Sequence, residues 1–177
     1  IYTYLMKQKL AENLLYIAGI TVLSIVIVLP YFNSGYFPTH DGEWAVVRLG
    51  DMFRTVRDFQ FPPRYSGALN FGYGYPLFNF AYPFPYYLGL LLYLPLQSFV
   101  LSIKVIFACS VFLSGLFMYL ASSKLWNNRL SGFVSALLYL FLPYKMIDLY
   151  VRGSIGESIA FALFPLIFLF SLRLFDS

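Results

Sequence analysis

The chain has 177 residues, of which 60% are apolar and only 11% are charged, with a mean hydropathy of +0.71 and a formal net charge of +4. A soluble domain of this length could not bury so much apolar surface, which excludes a water-soluble globular protein. The basic residues form no patch or stripe, which argues against a nucleic-acid partner. The composition therefore indicates an integral membrane protein.

Four apolar segments predict membrane-spanning helices, because a hydrocarbon core of about 30 Å requires about 20 apolar residues per helix. They lie near residues 10–32, 99–123, 130–147 and 158–174. A further apolar segment, Phe84–Leu96, is short and bounded by prolines, so we expect it to lie along the membrane surface. The predicted fold is an all-α membrane helical bundle of about four spans.

The basic residues that flank the apolar segments predict the orientation of the bundle. Lys and Arg favour short cytoplasmic loops, and four spans place all of these residues on one side. They are Lys7, Lys9, Lys124, Arg129 and Arg173. Residues 33–98 then form one long external loop, and residues 148–157 form a short one.

The same topology places most of the carboxylates outside, where we expect any chemistry to occur. The external acids are Asp41, Glu43, Asp51, Asp58, Asp148 and Glu157. His40 is the only histidine and Cys109 the only cysteine. A zinc site built from His and Cys, or a disulfide within the chain, is therefore excluded.

The long loop begins with a predicted amphipathic helix from Thr39 to about Phe59, whose apolar residues recur at helical spacing. The spacing also predicts ion pairs between Arg48 and Asp51 and between Arg54 and Asp58. The apolar face contains Ala45, Leu49, Met52, Phe53, Val56 and Phe59. The rest of the loop is rich in Tyr, Phe and Pro, which is typical of a rigid loop at the level of the lipid headgroups.

The segments that follow this helix resemble a known family. The matching segments are Gln60–Tyr65, Phe71–Phe80, Pro83–Tyr87, Pro143-Tyr144 and Asp148–Gly153. They resemble bacterial membrane proteins labelled 6-pyruvoyl-tetrahydropterin synthase-related, over about Thr39 to Arg173. A pterin-synthase zinc site cannot form with one histidine, so the family label does not describe the chemistry.

The layout of that family is similar to that of GT-C glycosyltransferases, which place a long external loop with an acidic residue directly after the first span. This resemblance implies transfer of a sugar from a polyprenyl-phosphate donor to an unknown acceptor. It places the reaction at the outer face of the bacterial cytoplasmic membrane, among membrane lipids. It also implies that residues 1–177 are the N-terminal part of a longer GT-C-like module.

Asp41 occupies the position where the resemblance implies a catalytic carboxylate, and Glu43 could share its role. Asp41 would take the proton of the acceptor as a general base. The alternative is that Asp41 is the N-cap of the amphipathic helix and Glu43 a favourable acid in its first turn. The resemblance also implies a second external acidic site, for which Asp148 and Glu157 are the candidates.

The second acidic site has a simpler interpretation as well. Ser154 and Glu157 have the spacing of a helix-capping box, and Asp148 and Arg152 have the spacing of an i,i+4 ion pair.

Arg64, Lys104 and Arg152 are the candidate phosphate ligands, because guanidinium and ammonium groups bind phosphate oxygens. Lys104 lies about one turn inside the second span, where it could instead extend its amine to the interface. We expect the basic and acidic candidates to converge on one outward-facing cleft. No cofactor is implied with certainty, and a divalent cation remains open.

The rival interpretation is a non-catalytic membrane protein, either a transporter or an assembly scaffold. Transporters usually contain structural repeats and broken helices at the membrane midplane. The sequence contains no evident internal repeat. Gly72-Tyr73-Gly74-Tyr75 superficially resembles a potassium-channel filter, but prolines follow it in place of a spanning helix, so a tight turn is favoured.

Overall fold

The computed structural model describes residues 2–36 and 38–175, with side chains from residue 11 to residue 174 within those ranges. The described residues form eight α-helices and a few single helical turns. The helices are α1 (Tyr2–Val28), α2 (Gly42–Arg57), α3 (Leu77–Phe80), α4 (Phe84–Leu96), α5 (Phe99–Trp126), α6 (Arg129–Leu140), α7 (Pro143–Ile147) and α8 (Ile155–Phe175). The predicted all-α class is confirmed.

Three helical segments are long and apolar enough to cross a membrane, namely Ala11–Phe32, Phe99–Trp126 and Ile155–Leu174. The predicted third span is instead a bent pair, in which Arg129–Leu140 and Pro143–Arg152 meet at 44°. Counting this pair as one broken span gives four. The protein is therefore an integral membrane protein with three to four spans.

Proline causes the break between α6 and α7. Pro143 has no backbone N–H, and its ring excludes a helical carbonyl one turn earlier, so α6 cannot continue through it. After α7, residues Asp148–Arg152 form one π-helical turn, in which the Gly153 N–H donates to the Asp148 carbonyl at 2.7 Å. Gly153 then takes a left-handed conformation (φ 66°) and ends the turn.

Side-chain contacts at both ends of the bundle show how the long helices align. At one end, Arg129 pairs with Glu12 at 2.8 Å and the Tyr119 hydroxyl donates to Asn13 at 2.7 Å. At the other end, the Tyr31 hydroxyl donates to the Leu149 carbonyl. The start of α6 therefore lies beside the first half of α1, and the end of the bent pair lies beside the end of α1. Helix α5 packs against both α6 and α8.

Helices α2 and α4 pack on each other beside the N-terminal end of α5, where Phe99 contacts both Phe53 and Tyr93. Ala45, Leu49 and Met52 of α2 are buried, as the helical spacing predicted. Phe59 is 95% exposed and does not belong to this face, because α2 ends at Arg57 and Phe59 takes a left-handed conformation. Gly89 of α4 permits close approach, since a Cβ there would lie 2.8 Å from the methyl groups of Leu49.

The predicted orientation can be tested with an impermeant thiol reagent in intact cells. In a cysteine-free background, a cysteine at Asn127 in the α5–α6 turn should resist labelling, because the charge distribution places this turn in the cytoplasm. A cysteine at the exposed Gln60 should be labelled readily and serves as the control. Rapid labelling at position 127 in sealed cells, with position 60 also labelled, would mean that Phe84–Leu96 spans the membrane and that the predicted four-span topology is wrong.

Candidate functional site

Two segments far apart in sequence meet at the end of the bundle that holds Tyr31. The N–H of His40 donates to the carbonyl of Val151 at 2.9 Å, and the N–H of Asp41 donates to the carbonyl of Arg152 at 2.7 Å. The start of α2 is thus joined by its main chain to the end of the π-helical turn. These two bonds place Asp41 next to Arg152.

Glycine is required on both sides of this junction. A Cβ on Gly153 would lie 2.9 Å from the backbone nitrogen of Gly42 and would collide with the Thr39 hydroxyl group. A Cβ on Gly42 would lie 2.8 Å from the ring of Tyr36 and would also collide with Thr39. The two backbones therefore approach more closely than any other residue type would allow.

The helix cap of α2 differs from the one that the sequence predicted. The N–H of Gly42 donates to the hydroxyl oxygen of Thr39 at 3.0 Å, whereas the Asp41 side chain makes no capping hydrogen bond. Thr39 takes this role because its hydroxyl, three residues before the donating Gly42 N–H, lies in the junction with Gly153. The Asp41 carboxylate is exposed and is not used to cap the helix.

Tyr36 lies beneath this turn. Burial raises the pKa of Tyr36 to about 12, a hydrogen bond with Thr39 acts against the rise, and the charge of Glu43 adds to it. The Tyr36 hydroxyl therefore stays protonated at physiological pH. Glu43 itself is exposed in the first turn of α2.

Arg152 is paired with Glu157 and not with Asp148, contrary to the predicted i,i+4 pair. The guanidinium contacts both Glu157 oxygens, with Nη2 at 2.6 Å from Oε1 and Nη1 at 3.0 Å from Oε2. Tyr144 bridges the pair, since it accepts from Arg152 at 2.6 Å and donates to Glu157 at 2.7 Å. The carboxylate of Glu157 is used in this pair and not in the predicted capping box.

Asp148 is completely buried behind this pair. Its Oδ2 accepts from the Ser158 hydroxyl at 3.1 Å, and among the described residues its Oδ1 has no hydrogen-bond partner. The charges of Glu157, Arg152 and Asp41 all act on this carboxylate. We call Asp41, Asp148, Arg152 and Glu157 the acidic cluster. Within the described residues, no three acidic, histidine or cysteine side chains are placed to hold a metal ion.

An apolar groove of about 400 Å³ begins at the acidic cluster and runs between α4 and α8. Gly156 allows the groove to be narrow at its mouth, because a Cβ there would lie 2.6 Å from the ring of Tyr82. We call it the α4–α8 groove. Its walls are Tyr82, Phe84, Pro85, Ser154, Gly156, Glu157, Ile159, Ala160 and Leu163.

One relative among known proteins aligns with most of this chain. An uncharacterized protein of Lactococcus lactis subsp. cremoris (strain MG1363) is 24% identical over 153 residues. The match covers 84% of this chain and 25% of that protein, so the chain spans about a quarter of the length of this relative. No family model and no solved structure matches the chain. The resemblance to the 6-pyruvoyl-tetrahydropterin synthase-related proteins therefore stays a prediction.

Two of the predicted phosphate ligands are not brought to the acidic cluster. Lys104 is buried, and its amine donates to the carbonyl of Asn33 at 2.9 Å and to the carbonyl of Gly35. Arg64 is exposed and makes no side-chain hydrogen bond or ion pair with the cluster in the described part of the chain. Of the residues predicted to converge, the described structure brings Asp41, Arg152 and Glu157 near one another and leaves Arg64 and Lys104 apart from them.

The contacts of Lys104 predict a structural effect. Lys104→Met should lower the free energy of unfolding by about 1–3 kcal/mol, because two carbonyls at the exit of α1 lose a buried donor. Thermal unfolding in lipid nanodiscs measures this effect, and Lys104→Arg, which keeps N–H donors, should recover part of the loss. An unchanged melting temperature for Lys104→Met would show that these carbonyls do not depend on the amine.

The sequence analysis missed Tyr144 at the site and a buried lysine in the neighbouring α7. Tyr144 bridges the ion pair of Arg152, and Lys145 is buried, with its amine on the Ser114 hydroxyl and 5.1 Å above the ring of Tyr139. A signal was present, since Lys145, two residues after Pro143, falls within the predicted third span. An ionisable residue in a span marks a functional or structural polar site.

Proposed function

We propose that this chain belongs to a membrane glycosyltransferase that transfers a sugar from a polyprenyl-phosphate donor to an acceptor at the outer membrane face. The observation that carries the proposal is the junction between Asp41 and Arg152. Its main-chain bonds hold the exposed Asp41 next to Arg152, whose partner Glu157 lines an apolar groove. A donor with a charged head and a prenyl tail needs this combination.

The α4–α8 groove would hold the first isoprene units of the donor. Its walls are almost entirely apolar and it lies against α8, which is a candidate span. The donor phosphate would then lie at the mouth of the groove, beside Arg152. The partly exposed guanidinium would exchange one oxygen of Glu157 for a phosphate oxygen, which is the bidentate contact that arginine favours.

Asp41 would act as the general base. The acceptor hydroxyl gives its proton to the Asp41 carboxylate while its oxygen attacks the anomeric carbon. The bond from this carbon to the phosphate oxygen breaks, and its electron pair remains on the polyprenyl phosphate. Arg152 stabilises the negative charge that develops there. A single displacement of this kind inverts the configuration at the anomeric carbon.

The proposal is tested by supplying the full-length protein in proteoliposomes with an isotopically labelled polyprenyl-phosphate hexose. We expect label to move to an acceptor from the host membrane fraction, with release of unlabelled polyprenyl phosphate. Heat-inactivated protein and empty liposomes are the controls. If label stays on the prenyl carrier with hexose, N-acetylhexosamine and pentose donors alike, the enzymatic proposal fails.

A transporter is the second candidate, and the broken span favours it. Lys145 and Asp148 are both buried just after the 44° break between α6 and α7. Discontinuous helices with ionisable residues at the break form the substrate sites of many secondary transporters. Transport is favoured over sugar transfer if the intact, labelled polyprenyl-phosphate sugar moves across the membrane of sealed proteoliposomes and is not cleaved.

A further inference from the structure

A groove follows the exposed side of α2, between this helix and the loop at residues 65–75. Three adjacent cavities of about 630, 490 and 250 Å³ lie along it. The first two share Leu69, and the second and third share Asp51, Arg54 and Ala68. From Trp44 to Asp58 the groove extends about 21 Å at the helical rise of 1.5 Å per residue. We call it the α2 groove.

The loop that forms the far wall is held firmly to α2. The buried carboxylate of Asp51 accepts from the hydroxyl of Ser66 and from the N–H of Ala68 at 3.2 Å. Ser66 and Tyr75 form an antiparallel bridge with bonds of 2.9 and 3.1 Å. Asp51 therefore anchors this loop and does not form the ion pair with Arg48 that the sequence spacing predicted. The α2 groove is preformed, which lowers the entropy cost of binding a ligand.

Aromatic rings face solvent at the Trp44 end of the groove. Phe71 is 100% exposed, and its backbone is left-handed (φ 57°) directly after a left-handed Asn70 (φ 54°). Two consecutive left-handed residues without glycine are costly, and a bulky residue is rare in this conformation. Trp44 and Tyr75 line the same cavity with partly exposed rings. These rings do not pack in the hydrophobic core, and an exposed aromatic surface of this kind indicates a binding site for a ligand.

Polar side chains lie at both ends of the groove, whereas its middle is lined mainly by apolar side chains, including Val47, Phe53 and Tyr93. Arg54, Asp58, Gln60 and Asn70 are exposed, and within the described residues their side chains make no hydrogen bond or ion pair. The predicted pair of Arg54 with Asp58 is thus not formed. A guanidinium, a carboxylate and two amides offer paired donors and acceptors, which match adjacent hydroxyl groups. Because Arg54, Asp58 and Gln60 keep one end of the groove polar and hydrated, an acyl chain does not match its whole length.

We propose that the α2 groove binds a linear saccharide. The aromatic rings would stack on the apolar C–H faces of sugar rings, and the planar polar groups would bind their hydroxyls. Trp44 follows Asp41 by three residues on α2, so this end of the groove lies beside the carboxylate at the acidic cluster. The binding of a saccharide is inferred from the groove itself. Only the further statement that this saccharide is the acceptor of the transferred sugar rests on the proposed function.

Isothermal titration in lipid nanodiscs tests this binding without any donor, so its outcome does not depend on whether the protein transfers a sugar. The probes are linear hexasaccharides of glucose, galactose, rhamnose and N-acetylglucosamine, with empty nanodiscs as the blank. We expect saturable binding of at least one probe. Trp44→Ala and Phe71→Ala should each weaken it about tenfold, because a stacked ring is lost.

The matched control is Phe80→Ala, which removes a ring that is also largely exposed (86%) but does not line the groove. It should leave binding unchanged, and Phe71→Trp should retain it. Neither Phe71→Ala nor Phe80→Ala can open a cavity in the core, so folding is preserved. Absence of binding by all four probes, or equal losses in Phe71→Ala and Phe80→Ala, would overturn the proposal. Saturable binding of an unstructured decapeptide with no saccharide binding would assign the groove to a peptide instead.

Discussion

Asp41→Asn should lower the rate of sugar transfer by about 10²–10⁴-fold, which corresponds to roughly 3–5 kcal/mol of barrier. An amide cannot accept the proton of the acceptor hydroxyl. The main-chain bonds of residue 41, to the carbonyl of Arg152 and from the N–H of Ala45, do not involve the carboxylate. Thr39 caps the helix, so the variant should also fold and insert normally.

The measurement is the initial rate of transfer in proteoliposomes, with the amount of folded protein matched by thermal unfolding. Glu43→Gln is the companion variant, since Glu43 is the neighbouring exposed acid and its charge acts on Tyr36. We expect a much smaller loss for it. Equal activity of Asp41→Asn and wild type would remove Asp41 from the mechanism, and a large loss in Glu43→Gln alone would move the base to Glu43.

Gly153→Ala should both destabilise the protein and abolish transfer. The left-handed backbone at this position is strained for alanine, and the added Cβ would lie 2.9 Å from the backbone nitrogen of Gly42. We expect a loss of about 1–3 kcal/mol in the free energy of unfolding. The junction should open, which separates Asp41 from Arg152.

Gly35→Ala is the control variant that separates the effect of backbone strain from the effect of the close contact made by an added Cβ. Gly35 is also left-handed (φ 75°), but a Cβ there would meet nothing within 4 Å. Thermal unfolding should therefore show a larger loss for Gly153→Ala than for Gly35→Ala. Hydrogen exchange of the Asp41 amide should be faster only in Gly153→Ala, since its bond to the Arg152 carbonyl is broken. Identical stability and exchange in both variants would show that the junction does not depend on Gly153.

Local properties of the chain were predictable from the sequence. Membrane spans depend on the number of consecutive apolar residues, and Phe84–Leu96 is too short to span for the same reason. The buried face of α2 followed from helical spacing, since Ala45, Leu49 and Met52 lie one turn apart. The prediction failed at Phe59, where the helix had already ended.

Side-chain partners were predicted less well, because spacing rules assume a regular α-helix. The pair of Asp148 with Arg152 assumed an α-helical turn, but the chain forms a π-helical turn there, which changes the angular offset between the two residues. Arg152 instead meets Glu157, which lies beyond Gly153 in the next helix. Capping of α2 by Asp41 failed similarly, because the junction with Gly153 places the Thr39 hydroxyl at the Gly42 N–H.

The sequence by itself determined that this protein lies in a membrane and which segments are apolar enough to be candidate spans, and it named Asp41, Arg152 and Glu157 as candidate site residues. Hydropathy and charge are sums over neighbouring residues, so no tertiary information is needed for them. Only the tertiary structure decided that these three residues meet and that Lys104 is used by two backbone carbonyls. The contacts of Asp41 with Arg152, and of Lys104 with the two carbonyls, join residues more than 60 positions apart. The close approach at Asp41 also depends on packing at Gly42 and Gly153, which no local pattern records.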